Sequence, residues 1–242
     1  MEIILRIRRY DPESDDAPVF KDYPVRVEST DRILDALLQV KDHLDGSLGL
    51  RRSCGHGVCG SDAMLINDRE RLACKTLVGE VAEGDSDVIT VEPLRHLAVQ
   101  KDLMVDQSGF FEKYRSVKPF FVARERSCQE RERLQSPQDR QRFDDPTNCI
   151  LCGACYSACP ILDENAFVGP AAIVQAARFV FDTRDVGLAP RLDVLDAAEG
   201  VWSCENHFEC TRVCPRKIKI TKNINLTKRL IERAREAGNE DT

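Results

Sequence analysis

Ten of the eleven cysteines fall into three groups, and the spacing within each group is that of ligands to a metal cluster. The densest group is CILCGACYSACP, which sets Cys149, Cys152, Cys155 and Cys159 in the pattern C-x2-C-x2-C-x3-C-P. Thiolates so close together can grip three irons of one cubane, while the fourth turns toward a second cluster. The pattern returns as CENHFECTRVCP, where Cys204, Cys210 and Cys214 match its first, third and fourth members and His207 takes the second place. Exchanging the fourth ligands between the runs assigns Cys149, Cys152, Cys155 and Cys214 to a [4Fe-4S] cluster. Cys159, Cys204 and Cys210 are then three thiolates, which suits [3Fe-4S]. A fourth iron on His207 is the alternative, since imidazole also ligates iron. Zinc is a further alternative, but it is better served by a lone C-x2-C than by a four-cysteine run.

The remaining group is RRSCGHGVCGSDAM with a cysteine further on, giving Cys54, Cys59, Asp62 and Cys74. A plant-type [2Fe-2S] site has C-x4-C-x2-C and a distant fourth cysteine, and here Asp62 stands at the third position. A carboxylate binds iron as a harder ligand than thiolate, so it should alter the potential. Gly55, Gly57 and Gly60 let a loop wrap tightly with its N–H groups inward. They also spell G-x-G-x-x-G, but a dinucleotide fingerprint needs a strand before it and a helix starting within it. Here GSLGLRRS precedes the motif and two cysteines interrupt it. A turn role for Asp62, with zinc or nothing bound, stays open at this point. Cys128 has no sequence partner, His43, His56 and His96 form no cluster, and no acid–base constellation marks catalytic residues.

These ligands need elements to hold them. Residues 3–9 alternate in polarity, an acidic loop follows, and 19–27 reads as a returning strand, so the chain opens with a hairpin. Thr30 is the expected cap of a helix carrying Ile33, Leu34, Leu37 and Leu38. Short strands are expected at 63–66 and 88–91. This is a small α+β domain over residues 1–105. Over residues 106–242 strand signals vanish. Phe110 to Phe121 is aromatic, Arg124 to Arg142 is a charged linker or solvated helix, and Pro170 opens a helix with Ile173, Val174, Ala177 and Phe181 inward. Lys228 to Ala237 reads as a last helix stopped by Gly238. The basic stretch from Arg216 to Arg235 is either a solvated helix face or a surface for anionic headgroups or an acidic partner.

Composition agrees with a folded chain: 42% of the 242 residues are hydrophobic and 31% charged. A net charge of −6 suggests no nucleic-acid role. No apolar run reaches the roughly 18 residues that a membrane-spanning helix needs. MEIILRIRRY has no signal-peptide character, which points to the cytoplasm, where thiols stay reduced and cysteines hold metal.

The order of the motifs resembles the iron-sulfur subunit of succinate dehydrogenase and fumarate reductase, respiratory complex II. RRSCGHGVCGSDAM, LACKTL, VDQSGFFEKYRSVKPF, CILCGACYSACP, FVGPAAIVQAARFVFDTRD and CTRVCP carry the resemblance across nearly the whole chain. Some members of that family similarly have Asp at the third [2Fe-2S] position. The resemblance implies a plant-type ferredoxin (β-grasp) domain followed by an all-α two-cluster domain. It also implies electron transfer from a FAD-bearing flavoprotein subunit through [2Fe-2S], [4Fe-4S] and [3Fe-4S] to a quinone beside an integral membrane anchor. Any haem would lie on the anchor, and the chain would be peripheral on the cytoplasmic face of the inner membrane. The reverse direction and a soluble multi-cluster carrier are the alternatives. ILDEN follows the first C-P where well-known members have tryptophans, and Glu205 replaces the family's histidine, so quinone contacts do not carry over. By adjacency alone, Pro160, Ile161 and Trp202 are expected near the electron exit.

Overall fold

Alternating apolar residues at the start of the chain build strand β1 (Glu2–Arg9), with Ile3, Leu5 and Ile7 fully buried. It pairs antiparallel with β2 (Val19–Arg26), in a register running from Glu2↔Arg26 to Arg9↔Val19. Because side chains alternate between sheet faces, this register puts Tyr23 and Val25 in the core. A computed structural model describes residues 1–125 and 132–240, with side chains to 236.

Helix α1 (Ile33–Gln39) buries Ile33, Leu34, Ala36 and Leu37. Thr30 does not cap it. The Asp31 carboxylate instead accepts from the Glu28 N–H in a tight turn, and Asp35 accepts from the Arg32 N–H. The helix therefore starts two residues later than a Thr30 cap would require. Strands β3 (Ala63–Ile66), β4 (Arg69–Leu72) and β5 (Val88–Glu92) complete a mixed sheet of order β2-β1-β5-β3-β4. β5 runs parallel to β1, and the other pairings are antiparallel. β4 has no apolar signature in sequence, because it is an edge strand reading RERL. A small hairpin of β6 (Val99–Lys101) and β7 (Met104–Val105) follows. In its turn, the buried Asp102 carboxylate accepts from the Tyr10 and Gly49 N–H groups and pairs with Arg9.

Helices dominate the rest: α2 (Ser108–Ser116), α3 (Pro137–Gln141), α4 (Ala154–Ser157), α5 (Ile161–Glu164), α6 (Pro170–Val180), α7 (Ala189–Leu195), α8 (Glu209–Arg212) and α9 (Ile220–Glu240). The chain forms two compact units that are not linear in sequence. Met1–Gly109 takes in Ile150–Ala158, and Phe110–Cys149 joins Cys159–Thr242. The cysteine-rich segment carrying α4 thus belongs to the first unit.

In the second unit Pro170 starts α6 as expected, and α6 packs on α9 with Phe143, Ala177 and Phe181 at the centre. α9 begins eight residues before the expected start and passes through Gly238 to Glu240. Its buried face mixes Ile220, Ile224 and Ile231 with Thr221, Asn223 and Thr227, which blurs the apolar period. A glycine in the last turn costs only about 1 kcal/mol, too little to stop a helix packed along its length. The fully buried Arg191 clamps the unit by pairing with Asp185 and donating to the Lys118 and Phe120 carbonyls. No helix among the described residues is long and apolar enough to cross a membrane. Cys128 lies outside the described residues.

Candidate metal-cluster sites

The first site is a loop closed by backbone donors. Gly55, Gly57 and Gly60 all have left-handed φ, and Gly57 and Gly60 are also crowded. A Cβ on Gly57 would fall 2.6 Å from Lys75 Cγ. This curvature turns the N–H groups of His56, Val58 and Cys59 onto Cys54 Sγ at 3.5, 3.4 and 3.3 Å. Those donors hold the Cys54 thiol down at about 6, so it readily provides a thiolate. The Gly57 N–H points at Cys74 Sγ at 3.2 Å. Burial first, and then Asp62, pushes the Cys74 thiol up to about 12. A metal charge at that position would reverse this preference.

Asp62 is 2% exposed. Its Oδ2 accepts the Cys74 N–H at 2.6 Å, while Oδ1 is buried and has no hydrogen-bond partner. An unsatisfied buried carboxylate oxygen is costly, and a cation beside Cys74 would satisfy it. The donor set therefore fits an iron cluster, with Cys59 completing it at the exposed rim. The loop leads into strand β3 and no helix begins within it, which removes the dinucleotide reading.

The second run starts on a short 3-10 turn, Asp145–Asn148, and reaches α4 through Leu151 and Gly153, both with left-handed φ. The placement of α4 rests on a buried hydroxyl. Ser157 Oγ donates to Glu70 at 2.8 Å and accepts from the Arg95 N–H at 2.9 Å. This brings Cys152 against the first loop, where a Cβ on Gly60 would lie 2.6 Å from Cys152 Cβ. Cys152 and Cys155 are both buried in this unit. In the second unit Cys149 lies near enough to Cys214 to help burial raise the Cys214 thiol.

Cys159, Cys204 and Cys210 surround one cleft of the second unit, together with Pro160 and Ile161. Burial, with Cys210 and Cys204 adding, pushes the Cys159 thiol up to about 11. Asn206 and Phe208 take left-handed φ, which folds the x5 spacer back so that both its cysteines face the cleft. His207 is half exposed, with Nε2 3.4 Å from the Glu205 carboxylate. Pro160 and Ile161 line this cleft, and Trp202 donates to Asp196 at 2.8 Å. Two contacts escaped sequence reasoning: Lys228 Nζ donates to the Cys204 carbonyl at 2.7 Å, and the Thr221 hydroxyl lies 3.7 Å from Cys210 Sγ. Only the period of α9 could have signalled them. Among the described residues no three His, Cys, Asp or Glu side chains close around a single metal-ion position. A polynuclear cluster spaces its thiolates by its own width rather than around one ion. None of the ten described cysteines forms a disulfide.

Comparison with known proteins matches residues 4–112 to the 2Fe-2S iron-sulfur cluster binding domain and residues 145–218 to the 4Fe-4S dicluster domain. The fumarate reductase iron-sulfur subunit of Mycobacterium tuberculosis is 42% identical over 219 residues, covering 89% of this chain and 87% of that one. Its Escherichia coli counterpart is 37% identical over 215 residues, covering 88% and 86%. Among solved structures, a chain of the Mycobacterium smegmatis Sdh1 complex in the apo form superposes with a TM-score of 0.85. It is 30% identical, and 96% of each chain is covered.

Proposed function

Since the chain belongs to the family of fumarate reductase and succinate dehydrogenase iron-sulfur subunits, we propose that it relays electrons from a FAD-bearing subunit to membrane quinone in a succinate:quinone oxidoreductase. Cys54, Cys59, Asp62 and Cys74 would hold [2Fe-2S]. Cys149, Cys152, Cys155 and Cys214 would hold [4Fe-4S], and Cys159, Cys204 and Cys210 would hold [3Fe-4S]. Once bound, such clusters take up and release single electrons at potentials set by ligand type, hydrogen bonds and burial.

The protein's own residues supply the tuning. The N–H donors of His56, Val58 and Cys59 favour negative charge on Cys54. Asp62 offers a hard oxygen donor beside Cys74. The exposed rim at Val58 and Cys59 leaves one side of the first site open to a partner, and the Pro160–Ile161 edge of the third cleft offers a route out. The observation that carries the proposal is the close packing of Gly60 on Cys152, which sets a ligand of the second site directly behind the loop of the first.

The chain would sit on the cytoplasmic face of the inner membrane through partner subunits. Purification under mild detergent should recover it with a flavoprotein and an integral membrane protein. Recovery as a lone coloured carrier would favour the soluble alternative. Direction is tested separately, by comparing succinate oxidation with fumarate reduction in the same complex.

A further inference from the structure

Three hydrogen bonds at the start of α9 form a closed relay that ends on a ligand sulfur. The Thr221 backbone N–H donates to Thr211 Oγ1 at 3.0 Å. Thr211 Oγ1 lies 3.0 Å from Thr221 Oγ1, and Thr221 Oγ1 lies 3.7 Å from Cys210 Sγ. Thr221 is 2% exposed, so water does not compete for its contact with Cys210, and the Thr211 side of the relay is half-buried.

In isolation the two hydroxyl contacts could run either way, since either atom could donate. A Cys210 thiolate fixes the direction. It carries no proton, so the Thr221 O–H must donate to it. Thr221 has then spent its one proton, so Thr211 must donate to Thr221 Oγ1. The Thr211 oxygen is left to accept the Thr221 N–H. That N–H is one of the first-turn donors of α9 that have no partner inside the helix, and it stands at the positive end of the helix dipole. Each bond polarises the next toward the sulfur.

We infer that Thr221, oriented by Thr211, is a positioning residue that raises the reduction potential of the cluster held by Cys210. This rests on the proposed ligand set of Cys159, Cys204 and Cys210. When one electron arrives, negative charge on the Cys210 sulfur grows and the Thr221 hydrogen bond strengthens. No covalent bond forms or breaks, and no proton leaves Thr221. Hydrogen bonds to cluster sulfurs are among the determinants of cluster potential.

The test is an EPR redox titration of the assembled complex carrying Thr221→Val, Thr221→Ser or Thr211→Val. Thr221→Val should lower the midpoint of the third cluster. At a fixed ambient potential the ratio of oxidised to reduced cluster should rise about three- to tenfold, tenfold being about 59 mV for one electron. Thr221→Ser should restore the original midpoint, and Thr211→Val should shift it in the same direction by less. The [2Fe-2S] midpoint should not move in any of them. An unchanged third midpoint in Thr221→Val, or an equal drop in Thr221→Ser, would overturn the inference. If Thr221→Val fails to assemble, Thr211→Val carries the test, and an unchanged midpoint there overturns it. Loss of the underlying ligand reading would look different, because no third-cluster signal would appear in the unsubstituted complex.

Discussion

Gly60 and Cys152 lie 92 positions apart in sequence, yet a single methyl group on Gly60 would fall 2.6 Å from the Cys152 Cβ and 2.9 Å from its Cα. The glycine is needed twice over, for its left-handed φ of 72° and for the space that its missing side chain leaves. The contact joins the loop of the proposed first cluster to a ligand of the second within one compact unit.

Alanine substitutions in this loop should therefore rank by crowding. Gly55→Ala meets open space and should cost only the left-handed penalty of about 1–2 kcal/mol. Gly57→Ala adds a displacement of the flexible Lys75 side chain. Gly60→Ala meets backbone and Cys152 Cβ, adding about 1–3 kcal/mol of overpacking. Thermal denaturation and iron content measure the series. Equal losses at all three positions would mean that the Cys152 contact has no special weight.

Asp62→Cys should keep a [2Fe-2S] cluster with a changed potential, because a thiolate replaces a harder oxygen. The variant also leaves the buried Cys74 N–H without its carboxylate, a loss of about 1–3 kcal/mol. Redox titration reads the first effect and thermal unfolding the second. An unchanged potential and spectrum would show that Asp62 is not a ligand.

Much of this was legible in sequence because cluster ligation imposes spacing on the chain itself. The β1–β2 hairpin, the Pro170 helix and the cysteine groups all announce themselves within a few residues. What stayed hidden depends on partners far away in the chain. The edge strand β4 is read only from its pairing with β3, as in Leu65↔Glu70. The seat of α4 depends on Ser157 finding Glu70, 87 positions away. The first turns of α9 carry no clear apolar period because their buried face includes Thr221, Asn223 and Thr227. The partners of Trp202, a hydrogen bond to Asp196 and stacking with Arg235, likewise depend on the fold.

The Arg191–Asp185 pair should dominate the stability of the second unit. Both side chains are essentially inaccessible, and Arg191 Nη1 lies 2.7 Å from Asp185 Oδ1. Arg191→Met leaves a buried carboxylate uncompensated and should cost about 3–5 kcal/mol. Combining it with Asp185→Leu should recover part of that loss in a double-mutant cycle. Additive losses would show that the two side chains act independently.

Acid should weaken the first unit through Asp45. Its hydrogen bond from Lys21 foremost, then those from Ser47, Tyr23 and Arg9, hold the carboxyl far below the usual carboxylate range. A carboxyl depressed on folding stabilises the protein above its unfolded value of about 3.9, and that stabilisation is lost as pH falls toward the folded value. Asp45→Asn should therefore melt below the unsubstituted protein at pH 6. The gap should hold from pH 6 down to about pH 4.5 and narrow only below that. A gap independent of pH would mean that the charge on Asp45 contributes nothing.

Whether one chain carries three different clusters in series is read out by EPR of the anaerobically isolated complex across a redox titration. A [3Fe-4S] signal is expected in the oxidised state, with [2Fe-2S] and [4Fe-4S] signals appearing on reduction. An intact complex with no three-iron signal would contradict it and point to a fourth iron at His207.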